Sequence, residues 1–219
     1  MDEKSLKKYS RNALLGSFVS MLTAGLATMM YSVCLGTIQT ELSLTAAQSG
    51  SLATYTFMGQ LLGGMVAGYI ADRIGRKKVL IVDVILATGA VFATSFLTSY
   101  SIFGLLRFIT GVGLGGCYYI ASILIGEFVS TDKRGFMSGV STSVWNFGYV
   151  VACVMSSTVL NSIGWRNCFR ICALPILAVI FMVFCMKDAP SITAAKAARD
   201  KRYSSIGKKE HTSAELWAS

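Results

Sequence analysis

Six stretches without a charged side chain divide this 219-residue chain: 12–40, 42–71, 84–106, 108–126, 135–165 and 171–186. A helix rises 1.5 Å per residue, so about 20 residues cross a ~30 Å hydrocarbon core. Each stretch holds one such helix and none comfortably holds two. The spacing predicts helices near 13–37, 47–71, 79–98, 101–126, 135–160 and 166–186, the third taking in Asp83 and the fourth Arg107. A transmembrane barrel needs alternating segments of about ten residues, and these stretches do not alternate. The fold class expected is an all-α membrane protein with six transmembrane helices. Only 14% of the residues are charged, against roughly 25% in a soluble domain, which argues against a soluble enzyme.

The net charge of +9 would suggest nucleic acid in a soluble chain, but its placement points to the membrane. Lys4, Lys7, Lys8 and Arg11 precede the first span. Arg73, Arg76, Lys77 and Lys78 join the second to the third, Lys133 and Arg134 follow the fourth, and seven more lie beyond 186. Arg166 alone marks the opposite side, with Arg107 and Arg170 within or near the membrane. The positive-inside rule then puts both termini in the cytoplasm of a multi-pass cell-membrane protein, consistent with an even number of spans. The first run is too long for a signal-peptide core. Cys34, Cys117, Cys153, Cys168, Cys172 and Cys185 fall in predicted spans and read as small packing residues. Cys168 and Cys172 share a helix face, but the sole histidine, His211, lies in the tail, so no metal site is expected.

Three segments are expected: a cytoplasmic N-terminus over 1–11, a six-helix bundle over 12–186, and a basic cytoplasmic tail over 187–219. The tail is rich in Ala, Lys, Ser and Arg and cannot bury enough apolar surface to fold alone. It reads as a solvated tail or a short amphipathic helix on the anionic inner leaflet. Within the bundle, Gly59, Gly63, Gly64 and Gly68, then Gly111 and Gly115, then Gly135 and Gly139 have the small-xxx-small spacing that lets backbones approach in lipid.

The most specific stretch is Gly68-Tyr-Ile-Ala-Asp72-Arg73-Ile-Gly75-Arg76-Lys77-Lys78. It resembles the signature loop between the second and third spans of the major facilitator superfamily. Arg107-Phe-Ile-Thr-Gly111, Glu127 with Arg134-Gly135, and Gly164-Trp165-Arg166 with Phe169 resemble further motifs of that superfamily. The resemblance spans residues 60–170 and implies the N-terminal six-helix half of a transporter. In the family two such halves enclose a midplane site and rock about it. It also implies an inner gate built from Asp72, Arg73, Gly75, Arg76, Glu127 and Arg134. The wording is most similar to aromatic-acid:proton symporters and related organic-solute carriers. Two departures stand out. The Asp-Gly-x-Asp motif of those symporters is replaced by Ala24-Gly25-Leu26-Ala27, and span five lacks the proline of drug:proton antiporters.

An ionisable group inside a membrane is costly and needs a reason. Arg107 is expected either to snorkel to the outer interface or to hold a carboxylate in a solute cavity, with Tyr118 on the same helix face. Asp83 is expected to join the inner charge network, or, as a sharper alternative, to carry a proton. Thr28, Tyr31, Trp145, Asn146 and Tyr149 are candidate cavity residues, with helix packing as the alternative. Trp165 reads as an aromatic-belt anchor.

The function expected is alternating-access transport of a small organic solute, an aromatic or carboxylic anion, as a secondary carrier. Its expected partners are that solute, a coupling proton, the lipid bilayer, and a second six-helix half or a second copy. No cofactor, metal or nucleic acid is expected, and no catalytic constellation is visible. The rival is a truncated or non-transporting membrane protein that keeps the fold as a partner or receptor subunit.

Overall fold

The computed structural model describes residues 3–174, which form helices and no strands. The helices are α1 (Glu3–Glu41), α2 (Ala46–Ile74), α3 (Arg76–Thr94), α4 (Tyr100–Phe128), α5 (Thr131–Met155) and α6 (Asn161–Cys172), with one wide helical turn, Ser156–Leu160, between the last two. The expected tail and residues 175–186 of span six, with Cys185, lie outside the described residues. By themselves Leu14–Glu41 and Tyr100–Phe128 are long and apolar enough to cross a membrane. Among the others, α3 carries Arg76, Lys77, Lys78 and Asp83 within its 19 residues, and only 12 residues of α6 are described. The end carrying Gly75 and Ser130 is called inner below, following the charge expectation, and the opposite end outer.

Local chemistry sets the corners. Thr45 caps α2 reciprocally with Gln48: Gln48 N–H donates to Thr45 Oγ1 at 3.2 Å, and Thr45 N–H donates to Gln48 Oε1 at 2.9 Å. Gly75 turns α2 into α3 with φ 101°, a conformation that glycine adopts without the Cβ penalty. Gly164, φ 76°, breaks α6 internally, so the true corner between the fifth and sixth spans is there rather than at residue 160. Every helix starts before its expected span, by one residue for α2 and α4 and by more for the others. α1 is helical from Glu3, through the segment expected as an N-terminal tail, and α5 starts at Thr131 instead of 135.

Glycine seams hold the bundle together. On α2, a Cβ at Gly59 or Gly63 would strike the backbone carbonyl of Phe108 or Val112. On α4, one at Gly111 or Gly115 would strike that of Thr56 or Gln60. α1 and α5 meet in the same way, through Gly25 against the Trp145 carbonyl and Gly148 against Leu22. Association of helices in lipid depends on such close packing because the apolar surroundings supply no hydrophobic drive. Gly135 and Gly139 meet nothing within 4 Å, so their spacing marks no seam among the described residues. Two buried clusters fill the interior. The outer one gathers Met30, Cys34, Ile38, Phe103, Trp165, Cys168, Phe169 and Cys172. The inner one gathers Ala67, Ala71, Val79, Leu80, Val84, Cys117, Ile120 and Leu124.

Candidate solute cavity and charge clusters

The two seams leave a cavity of about 720 Å³ on the face shared by α1, α2, α4 and α5. Its wall is mostly apolar and aromatic: Ala24 and Thr28 on α1, Phe57, Gln60, Leu61, Gly64 and Met65 on α2, Leu114, Gly115, Tyr118 and Tyr119 on α4, and Thr142 and Trp145 on α5. Hydroxyl and amide groups from Thr28, Gln60, Thr142 and the two tyrosines are spread round it. Such a wall suits a flat apolar body with polar edges. Of the sequence candidates, Thr28, Tyr118 and Trp145 line this cavity, and Tyr149 lies beside Trp145 at 4.4 Å between centroids, its ring tilted by 47°. Gln60, Phe57 and Tyr119 were missed; the mid-span amide of Gln60 was the available signal, whereas Phe57 and Tyr119 look like lipid-facing residues of α2 and α4.

The other candidates stand elsewhere. Asn146 turns its Nδ2 to the Thr142 carbonyl one turn back, at 2.9 Å, and is not part of the cavity wall. Tyr31 is buried, its hydroxyl donating to the Ser49 carbonyl at 2.9 Å. Its ring covers the Arg107 guanidinium at 4.3 Å from the centroid. Arg107 is therefore 2% exposed and does not snorkel. Its Nε and Nη1 have no hydrogen-bond partner. It lies seven residues outward of Leu114, about 10 Å along α4, behind Tyr31 rather than on the cavity wall.

At the inner end, Arg76 stands between two carboxylates, Glu127 Oε1 at 2.5 Å and Asp72 Oδ1 at 3.7 Å. It thereby ties the end of α2 and the start of α3 to the end of α4. Gly75 supplies the corner that allows this. Arg73 stacks on the Tyr69 ring at 4.2 Å, and Arg134 donates from Nε to the Val129 carbonyl at 3.1 Å. Neither forms an ion pair with the described carboxylates. Asp83 departs from its expected place: it makes no ion pair with the cluster but is buried against α4, because its α3 position faces inward a full turn beyond the charged corner.

A second ionic group, at the outer end, was not foreseen. Glu41, at the end of α1, pairs with Arg166. It also accepts a hydrogen bond from Trp165 Nε1 at 2.5 Å. Trp165 is 1% exposed and packs on Phe103 and Phe169; it is a core residue and not a belt anchor, since the Gly164 turn directs it inward.

Known proteins share this fold. A family model described as Major Facilitator Superfamily matches residues 17–218. The chain belongs to that superfamily. Among curated relatives, the cis,cis-muconate transport protein of Acinetobacter baylyi is 27% identical over 89% of this chain and 47% of its own length. The niacin transporter of the same organism is 32% identical over 72% of this chain and 36% of its own length. An inward-open structure of the xylose transporter of E. coli superposes with a TM-score of 0.76 at 19% identity, covering 87% of this chain and 51% of that one. That likeness shows the superfamily fold. The chain spans less than half the length of these curated relatives, and the relatives named are transporters rather than enzymes.

Proposed function

We propose that this chain is the N-terminal six-helix half of a multi-pass cell-membrane transporter for small organic acids, working by alternating access with both termini in the cytoplasm. The observation that carries the reading is the aromatic cavity between the α2–α4 and α1–α5 seams, on a face left open in this half. Phe57, Leu61, Met65 and Tyr118 stand exposed there, as surfaces meant for a second six-helix half or a second copy would. Family membership and relatives that carry muconate and niacin support an organic acid as the solute. Trp145 and Tyr118 would take its flat face, and Arg107, whose Nε and Nη1 are unpartnered, would take its carboxylate once Tyr31 moves aside. Asp72, Arg76 and Glu127 would form this half's share of the inner gate, with Arg73 and Arg134 beside them.

Uptake of labelled niacin and cis,cis-muconate by cells expressing the native protein tests the reading. Saturable uptake that falls at least about tenfold in Arg107→Gln, with Arg107→Lys between, is expected for loss of a charged contact in a dry site. Uptake equal to that of empty cells for every organic acid tried would reject transport of this class. Normal uptake by Arg107→Gln would remove Arg107 from the binding site.

A further inference from the structure

Asp83 lies apart from the inner charge cluster. It is 6% exposed, and its Oδ2 has no hydrogen-bond partner. Its carboxyl lies flat on α4 at Gly116, where a Cβ would collide with both carboxyl oxygens, and its own carbonyl and Ala87 lie on Gly113. Its neighbourhood is almost free of charge. From α4 the titratable neighbour is Cys117. The buried cluster at this level takes Ala67 and Ala71 from α2 and Val79, Leu80 and Val84 from α3 itself, with the partly buried Val19 of α1 packed against it. α6 meets α3 through Arg170 and Ser95, twelve residues outward. The cations of α3, Arg76, Lys77 and Lys78, begin five residues inward, about 7.5 Å along the axis. Arg76 is engaged with Glu127 and Asp72, and Asp83 forms no ion pair with the described residues.

We propose that Asp83 is a proton-binding site whose occupancy seats α4 on α3. With a proton on Oδ2 the carboxyl is neutral and rests on the Gly113–Gly116 backbone. When the O–H bond breaks and the proton passes to water, a carboxylate without a counter-ion remains between the helices, and it regains hydration only if they part. The same helix carries Leu114, Gly115, Tyr118 and Tyr119 on its cavity side, so releasing its back moves the cavity wall. The inference concerns this chain's own packing and stands apart from the transport reading.

Cys117, 2% exposed and next to Gly116, reports the opening. Its alkylation by a small membrane-permeant maleimide, read by peptide mass spectrometry on the purified native protein, is followed with pH in wild type, Asp83→Asn and Asp83→Ser. Thiol ionisation raises the rate with pH in all three, and a charged Asp83 carboxylate opposes it in wild type alone, so it cannot by itself make the wild-type to variant ratio rise. Opening linked to one released proton adds up to about tenfold per pH unit in wild type alone. A wild-type to variant rate ratio that rises with pH supports the site, and a ratio that stays flat overturns it. Should both variants misfold, deuterium exchange on wild type decides. Backbone protection around Asp83 and Gly116, corrected for intrinsic exchange, falls with rising pH if the site exists; protection independent of pH overturns it.

Discussion

The two charged clusters at the ends of the bundle are built on opposite proportions. At the outer end one carboxylate serves two donors: Glu41 takes Trp165 on one oxygen and Arg166 on the other, while Arg166 reaches the Leu97 carbonyl at 3.5 Å with its second nitrogen and covers the Trp165 ring. Each of these groups finds its partner within this half. At the inner end one guanidinium serves two carboxylates. Glu127 holds it at 2.5 Å, and Asp72, 71% exposed and at 3.7 Å, holds it loosely. A satisfied clasp fixes α1, α6 and the α3–α4 connection together. A carboxylate with lone pairs to spare can change partners, which is what a gate requires. In the proposed reading the outer cluster is a tie and the inner one a switch.

Removing the inner hub should have the largest effect on stability. Arg76→Ala leaves Glu127 facing the α2–α3 corner without its cation. Breaking a buried pair costs about 3–5 kcal/mol, and the partial exposure of Glu127, 24%, brings the expectation to about 2 kcal/mol. It would be read as a lowered thermal unfolding midpoint in detergent. Glu41→Ala comes next, at about 1.5 kcal/mol, because it strands the indole N–H of the buried Trp165; an unmoved midpoint would mean that the clasp does not hold the outer end. Glu41→Gln keeps an acceptor for Trp165 and removes only the charge. Its cost should stay below about 1 kcal/mol and shrink further in high salt, where wild type loses the same attraction.

Asp72→Asn sharpens the contrast most. Its exposed carboxylate should matter by less than about 0.5 kcal/mol to stability, yet uptake should drop severalfold if it changes partners during transport. Wild-type uptake in this variant would make the inner cluster as static as the outer one.

What could be read from the sequence follows the range of each interaction. Asp72, Gly75 and Arg76 fall within five residues and carry their pattern in one loop, so the inner corner was legible. The α2 and α4 seams were legible too, because small residues repeat at four-residue spacing on one helix face. Glu41 and Arg166 are separated by more than 120 residues, and each alone looks like an ordinary loop charge; only the fold brings them together. Tyr118 was placed by sharing a helix face with Arg107, and that face logic could not foresee that Tyr31 of α1 would cover Arg107 itself. Asp83 could be seen as an intramembrane acid, but its position against Gly116 depends on the rotation of α3 about its axis. The charged loop one turn away does not set that rotation.

The central claim is that the aromatic face between the seams is a solute path. Its most direct test is Tyr118→Cys in the native protein, labelled in membranes with a water-soluble thiol reagent in the presence and absence of a transported organic acid. The introduced thiol should react and the acid should protect it, with the rate falling in step with solute occupancy. A thiol that never reacts, or one that reacts equally fast with saturating solute present, would contradict it.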